Sequence, residues 1–132
     1  AQLASPRLEQ LWRILRLDSD CVLIGVIYRP PDSKEDVSDE LHAALAAATS
    51  SLGRLGCSSL LVTGDFNFAH ICYTDIDVGG GTATVASLDP NARGIRHQKA
   101  FIECLTEQHL SQLVTFPTFK SSDSEEPQNT LD

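Results

Sequence analysis

Eight consecutive residues, Cys21-Val22-Leu23-Ile24-Gly25-Val26-Ile27-Tyr28, are almost wholly apolar and rich in β-branched side chains, and Arg29-Pro30-Pro31 cuts the run off. The run is far short of the roughly 20 apolar residues that span a bilayer. Apolar residues on both alternating faces predict a central strand covered on both sides. Pro30 pushes Arg29 toward an extended conformation. A second apolar run, Leu60-Leu61-Val62-Thr63-Gly64, follows Ser58-Ser59 and predicts another buried strand of about five residues. Between the two, Ser33-Lys34-Glu35-Asp36 resembles a capping-box start with Asp where Glu or Gln is usual. Val37, Leu41, Ala44, Leu45, Ala48, Leu52 and Leu55 then trace one helical face that ends near Gly53 and Gly56. A helix between two apolar strands is the pattern of an α/β layer.

The flanking segments are less constrained. Residues 7–17 carry Leu8, Leu11, Trp12 and Leu15 at helical spacing, which predicts a short amphipathic helix or turn. Residues 74–94, with Gly79-Gly80-Gly81, Pro90 and Gly94, read as a long loop without the phosphate-cradling P-loop pattern. From about Ile95 to His109 a helix is expected, with Phe101, Ile102 and Leu105 inward; Gln112-Leu113-Val114-Thr115 is a strand candidate. Lys120 to Gln128 is polar and acidic and reads as a solvated loop.

A chain of 132 residues has room for one domain with a real core and not for two. Hydrophobic residues at 42% and charged ones at 21% match an ordinary globular balance. The formal net charge of -8 opposes general attraction to a polyanion, so a nucleic-acid partner needs a local basic patch, a metal ion or basic surface elsewhere. The one basic cluster, Arg93, Arg96, His97 and Lys99, fits either a DNA backbone or an ordinary helix start. Cys21, Cys57, Cys72 and Cys104 are scattered without a C-x-x-C pair, which disfavours zinc and fits a reducing intracellular compartment. The absence of Met suggests a piece of a longer or processed chain, and no signal peptide is visible.

Gly64-Asp65-Phe66-Asn67 closes the second apolar run. In an extended segment Asp65 and Asn67 share one face and Phe66 takes the other. A carboxylate beside an amide suits a phosphate ester: Asp65 can orient a hard cation and attacking water, and Asn67 can donate to a phosphoryl oxygen. Gly64 leaves room where substrate backbone could approach. The same residues also fit an ordinary Asx turn. Tyr28, at the end of the preceding strand, offers a phenol to a phosphate or caps a core. His70, Asp75 and Asp77 lie close by in sequence, with nothing that directs them toward Asp65.

Tyr28-Arg29-Pro30-Pro31, a helix, then Leu60 through Asn67 resembles the endonuclease/exonuclease/phosphatase superfamily, and within it the apurinic-type endonuclease domain of non-LTR retrotransposons. Glu9-Gln10-Leu11-Trp12, Gly25 through Pro31, Phe101 through Leu105, Gln112 through Thr118 and Asn129-Thr130-Leu131-Asp132 extend the likeness in the same order over nearly the whole chain. The resemblance implies a two-sheet α/β sandwich, here partial, a Mg2+ (or Mn2+) cofactor, DNA as partner, no membrane, and fusion to a reverse transcriptase acting in the nucleus. It implies that Tyr28 contacts the scissile phosphate and that Asp65 aligns or deprotonates the water. Asn67 would stabilise the transition state. Asp132 would match the acidic residue that orients the catalytic histidine or helps at the metal.

Two parts of the family pattern have no counterpart. The metal-binding glutamate and its companion asparagine are expected upstream of Ala1, and the Ser-Asp-His segment downstream of Asp132. Losing a general acid–base partner alone costs about 10²–10⁴ in rate, so the expectation is a partial domain, inactive by itself. Two alternatives stay open: a phosphoinositide or sphingolipid phosphoesterase of the same superfamily, and a non-catalytic remnant.

Overall fold

The computed structural model describes residues 8–31, 33–68, 71 and 95–114. Two compact units divide the chain, Ala1–Phe66 and Asn67–Asp132. The first contains strand β1 (Glu9–Arg16), strand β2 (Cys21–Tyr28), helix α1 (Glu35–Leu55) and strand β3 (Ser59–Asp65); the second contains helix α2 (Ile95–Glu107). The chain is thus α/β, with one three-stranded mixed sheet in the order β1-β2-β3 among the described residues. No helix among them is long and apolar enough to cross a membrane.

The segment expected to be helical at 7–17 is strand β1, antiparallel to β2 from Glu9↔Tyr28 to Arg16↔Cys21. Its apolar residues do not alternate as a strand's would, and the Asp18-Ser19 turn decides for the strand. Leu17 and Asp20 exchange both backbone hydrogen bonds across that turn, at 2.8 and 3.4 Å, which starts a hairpin and returns the chain along β2. Trp12 lies opposite Gly25, and a Cβ at Gly25 would collide with the indole ring. The glycine therefore admits the ring against the sheet.

Strand β2 is central, as its apolarity predicts, and β3 pairs with it in parallel after the helical crossover that a parallel pair requires. Its coverage differs from expectation. Cys21, Leu23, Gly25 and Ile27 are buried, whereas Val26 and Tyr28 on the alternate face are exposed. Nor is β3 a buried strand: it has seven residues, none of them buried, and Leu61 is 44% exposed. Among the described residues it borders the sheet, with β2 on one side only. Edge position explains its alternating Ser59, Leu61 and Thr63, all exposed.

Helix α1 buries Val37, Leu41, Leu45 and Ala48 of the face that the apolar spacing marks out, together with Ser38, while Ala44, Leu52 and Leu55 are only half-buried. Cys21, Leu23, Ala48 and Cys57 form one cluster, with Trp12, Leu52, Leu55 and Leu60 packed around it. The capping box does not form. The N-cap is Lys34 with no side-chain cap, one residue after Ser33, whose hydroxyl donates to the Pro30 carbonyl at 2.5 Å. Glu35 and Asp36 in the first turn supply the favourable negative charge there. At the other end Gly56 is left-handed, with φ 69. Gly56 N–H donates to Gly53 O at 3.1 Å and Cys57 N–H to Leu52 O at 2.9 Å, a Schellman closure.

In the second unit α2 buries Gln98, Phe101, Cys104 and Leu105, and the Phe68 and Phe101 rings meet at 4.7 Å. The helix stops at Glu107, where His109 turns left-handed with φ 56 and Leu110 N–H reaches back to Leu105 O at 2.8 Å. Residues 112–114 form no strand; Gln112 spends its side-chain amide on the Val114 carbonyl at 2.9 Å, a local bond that competes with pairing. The expected loops at 74–94 and 120–128 lie outside the described residues.

Candidate functional site

Parallel strands raise their carboxyl ends together, and open α/β sheets bind ligands beyond those ends. Tyr28 is the last residue of β2 and Asp65 the last of β3, and the two are register partners. Partners on neighbouring strands point to the same face, here the exposed one. Tyr28 is 41% exposed and Asp65 partly so. The two groups therefore stand side by side on an accessible surface, a donor next to an acceptor.

The row has a third member. Glu9 pairs with Tyr28 from the other side, so Glu9, Tyr28 and Asp65 form one line across three strands. The sequence does not mark Glu9 as a site residue because its segment reads as helix, which would put it on no fixed line with Tyr28. The signal that could have found it is the Asp-Ser turn two residues after Arg16.

Asn67 does not follow the extended geometry expected of it. Strand β3 ends at Asp65, and Asn67 takes a left-handed φ of 54, a conformation that Asn tolerates better than most residues. Strand alternation therefore ends before Asn67. Gly64 also has a different role from the one expected. Its φ is 145, and a Cβ there would fall on the carbonyl oxygen of Ile27. What approaches this glycine is the neighbouring strand.

Arg29 holds the turn that follows. It is buried at 4% exposure, its N–H donates to the Asp65 carbonyl at 2.9 Å, and its guanidinium donates to Phe66 O at 3.2 Å. The same fork donates to Ser38 Oγ at 3.3 Å and Ser33 O at 3.4 Å. One side chain thus ties the exit of β3 to the start of α1. Burial pushes its pKa down, and an arginine remains charged even so.

Asp132, His70, Asp75, Asp77 and Arg93 lie outside the described residues. Arg96, His97 and Lys99 lie on the first turns of α2, and Arg96 and Lys99 are exposed. No group of three or more His, Cys, Asp or Glu side chains that could hold a metal occurs among the described residues. A Mg2+ ion keeps several waters and uses one or two carboxylates, so Asp65 suits it in chemistry as a single ligand. A groove of about 540 Å³ lined by Gln10, Trp12, Leu23, Ala44, Ala47 and Arg54 lies on the α1 side of the sheet, away from Tyr28 and Asp65. Searches of protein-family models, curated proteins and solved structures find no match to this chain.

Proposed function

We propose that the chain is part of a metal-dependent phosphodiesterase, a DNA endonuclease of the non-LTR retroelement type built on the two-sheet sandwich of that superfamily. The observation that supports this reading is the pairing of Tyr28 with Asp65 at the carboxyl ends of two parallel strands, the two positions that the resemblance marks as catalytic. Tyr28 would donate its phenolic proton to a phosphoryl oxygen. Asp65 would accept a proton from the attacking water or hold that water in line. Asn67 would donate to the oxygen on which charge develops, and Asp132 would orient the histidine of the downstream segment. Mg2+ or Mn2+, held in part by Asp65 and Asp132, would supply charge neutralisation at the phosphate. The partners are then DNA and a reverse transcriptase on the same polypeptide, with the nucleus as the place of action.

The test is nicking of supercoiled plasmid by this segment joined to its natural flanking sequence, with Mg2+ and with a chelator. Nicking that needs Mg2+ and falls by about 10²–10⁴ in Asp65→Asn is expected. A joined domain that leaves plasmid intact but cleaves a phosphoinositide or sphingomyelin would overturn the DNA reading and keep the chemistry. One that cleaves neither would leave the non-catalytic remnant.

A further inference from the structure

Cys21 and Cys57, 36 positions apart in sequence, place their sulfurs 2.6 Å apart. Non-bonded sulfurs packed as ordinary core atoms stay well over an ångström farther apart than a covalent pair at about 2.05 Å; this contact lies between the two regimes. Both residues are buried, at 3% and 7% exposure, inside the cluster that joins α1 to the sheet.

Their backbones are fixed independently of the sulfurs. Cys21 opens β2 directly after the hairpin turn, and its N–H donates to Asp20 Oδ1 at 2.7 Å. Cys57 follows the left-handed Gly56 cap, and its N–H donates to Leu52 O. Ser58 N–H donates to Cys21 O at 3.1 Å. The two sulfurs are therefore brought together by backbone contacts that do not involve them: the hairpin turn, the Gly56 cap and the Ser58–Cys21 bond. We propose that Cys21 and Cys57 are an oxidisable thiol pair, closed by hydroperoxide into an intramolecular disulfide that staples β2 to the α1–β3 junction.

The oxidant is a small peroxide, which suits sulfurs this buried. One sulfur gives up its proton and attacks a peroxide oxygen, the O–O bond breaks, and the other oxygen takes up that proton and leaves as water; the sulfur is now a sulfenic acid. The second sulfur attacks it, an S–S bond forms, the S–OH bond breaks, and the hydroxyl leaves as a second water with the second thiol's proton. Two thiols are oxidised and one peroxide is reduced to two waters. The hydrogen bond from Cys21, with burial, raises the Cys57 pKa, which favours its thiol form.

The experiment uses the whole 132-residue chain, reduced, then treated with hydrogen peroxide, alkylated without reduction and digested for mass spectrometry. Expected is a linked pair of peptides containing Cys21 and Cys57, loss of alkylation at both together, and a Tm higher by roughly 10 °C from the closed loop. Cys57→Ala should abolish the link and the Tm rise, and dithiothreitol should reverse both in the parent chain. The proposal fails if both cysteines stay alkylatable, if either pairs with Cys72 or Cys104, if they advance to sulfinic acid unpaired, or if the link lowers Tm.

Discussion

Arg29→Met removes a charge from the interior while keeping most of the apolar stem, so it isolates the polar contacts of the guanidinium. Among those at stake are bonds to Phe66 O at 3.2 Å, Ser38 Oγ at 3.3 Å and Ser33 O at 3.4 Å. A hydrogen bond from a charged donor contributes about 1.5–3 kcal/mol, and lengths above 3.1 Å put these at the weak end. Their gross contribution is then about 4–5 kcal/mol. Against it stands the desolvation of a guanidinium at 4% exposure, which the substitution relieves and which offsets roughly half. The net loss should be about 2–3 kcal/mol, or a fall in Tm of roughly 6–10 °C.

Urea unfolding measures the loss, with an unchanged m-value as the check that only stability moved. Amide exchange supplies the location: protection should drop at Asp65, Phe66 and the first turn of α1, the segments that the fork holds together. Arg29→Lys should behave nearly like Arg29→Met, since one ammonium cannot reach three acceptors in fork geometry. A Met variant within about 0.5 kcal/mol of the parent, or a Lys variant of full stability, would refute the assignment of Arg29 as the tie between β3 and α1.

Gly64→Ala should cost at least about 2–3 kcal/mol, because its Cβ meets backbone that cannot give way. Gly53→Ala, with open space around it and a helical backbone, should gain about 0.5–1 kcal/mol; urea midpoints of the pair check both signs. The Ser58 hydroxyl and the Cys21 N–H hold the Asp20 pKa below its usual value, so Asp20 stabilises the fold above the unfolded carboxylate range and stops doing so as pH falls through its lowered folded value. Asp20→Asn should therefore be less stable than the parent at neutral pH and equal to it in strong acid, as thermal melts across pH will show. Tyr28→Phe, on a half-exposed side chain, should leave Tm within about 2 °C of the parent and reduce nicking in the joined domain.

The βαβ layer was legible because β2 and the buried face of α1 are long, periodic and bounded by Pro30, Pro31, Gly53 and Gly56. Strand β1 was not, since Leu8, Leu11, Trp12 and Leu15 satisfy helical spacing while Trp12 needs Gly25 on another strand to reveal its place. The Ser33 cap failed for a similar reason: the helix is capped one residue later, at Lys34, and the Ser33 hydroxyl is turned to Pro30, neither of which spacing displays. Of the candidate site, Tyr28 and Asp65 were nameable separately, but their adjacency depends on register, which no single segment encodes. Cys21 and Cys57 were scattered in sequence for the same reason.

The row Glu9, Tyr28, Asp65 raises the question of where the site ends, and electrostatics gives a way to answer it. Glu9 and Asp65 sit two strand spacings apart, about 10 Å between backbones. At that distance two exposed charges interact by about 0.4 kcal/mol in water before screening, and by less at physiological salt, where the Debye length is about 8 Å. Acting through its charge alone, Glu9 can change the affinity for a singly charged phosphate diester at Asp65 by no more than about twofold. Glu9→Gln in the joined domain should accordingly leave Mg2+-dependent nicking within about that factor, while Asp65→Asn removes it. A loss of more than tenfold in Glu9→Gln would exceed anything a remote charge can do. It would require direct contact with substrate or cation, and the site would then be the whole three-strand row rather than the parallel pair.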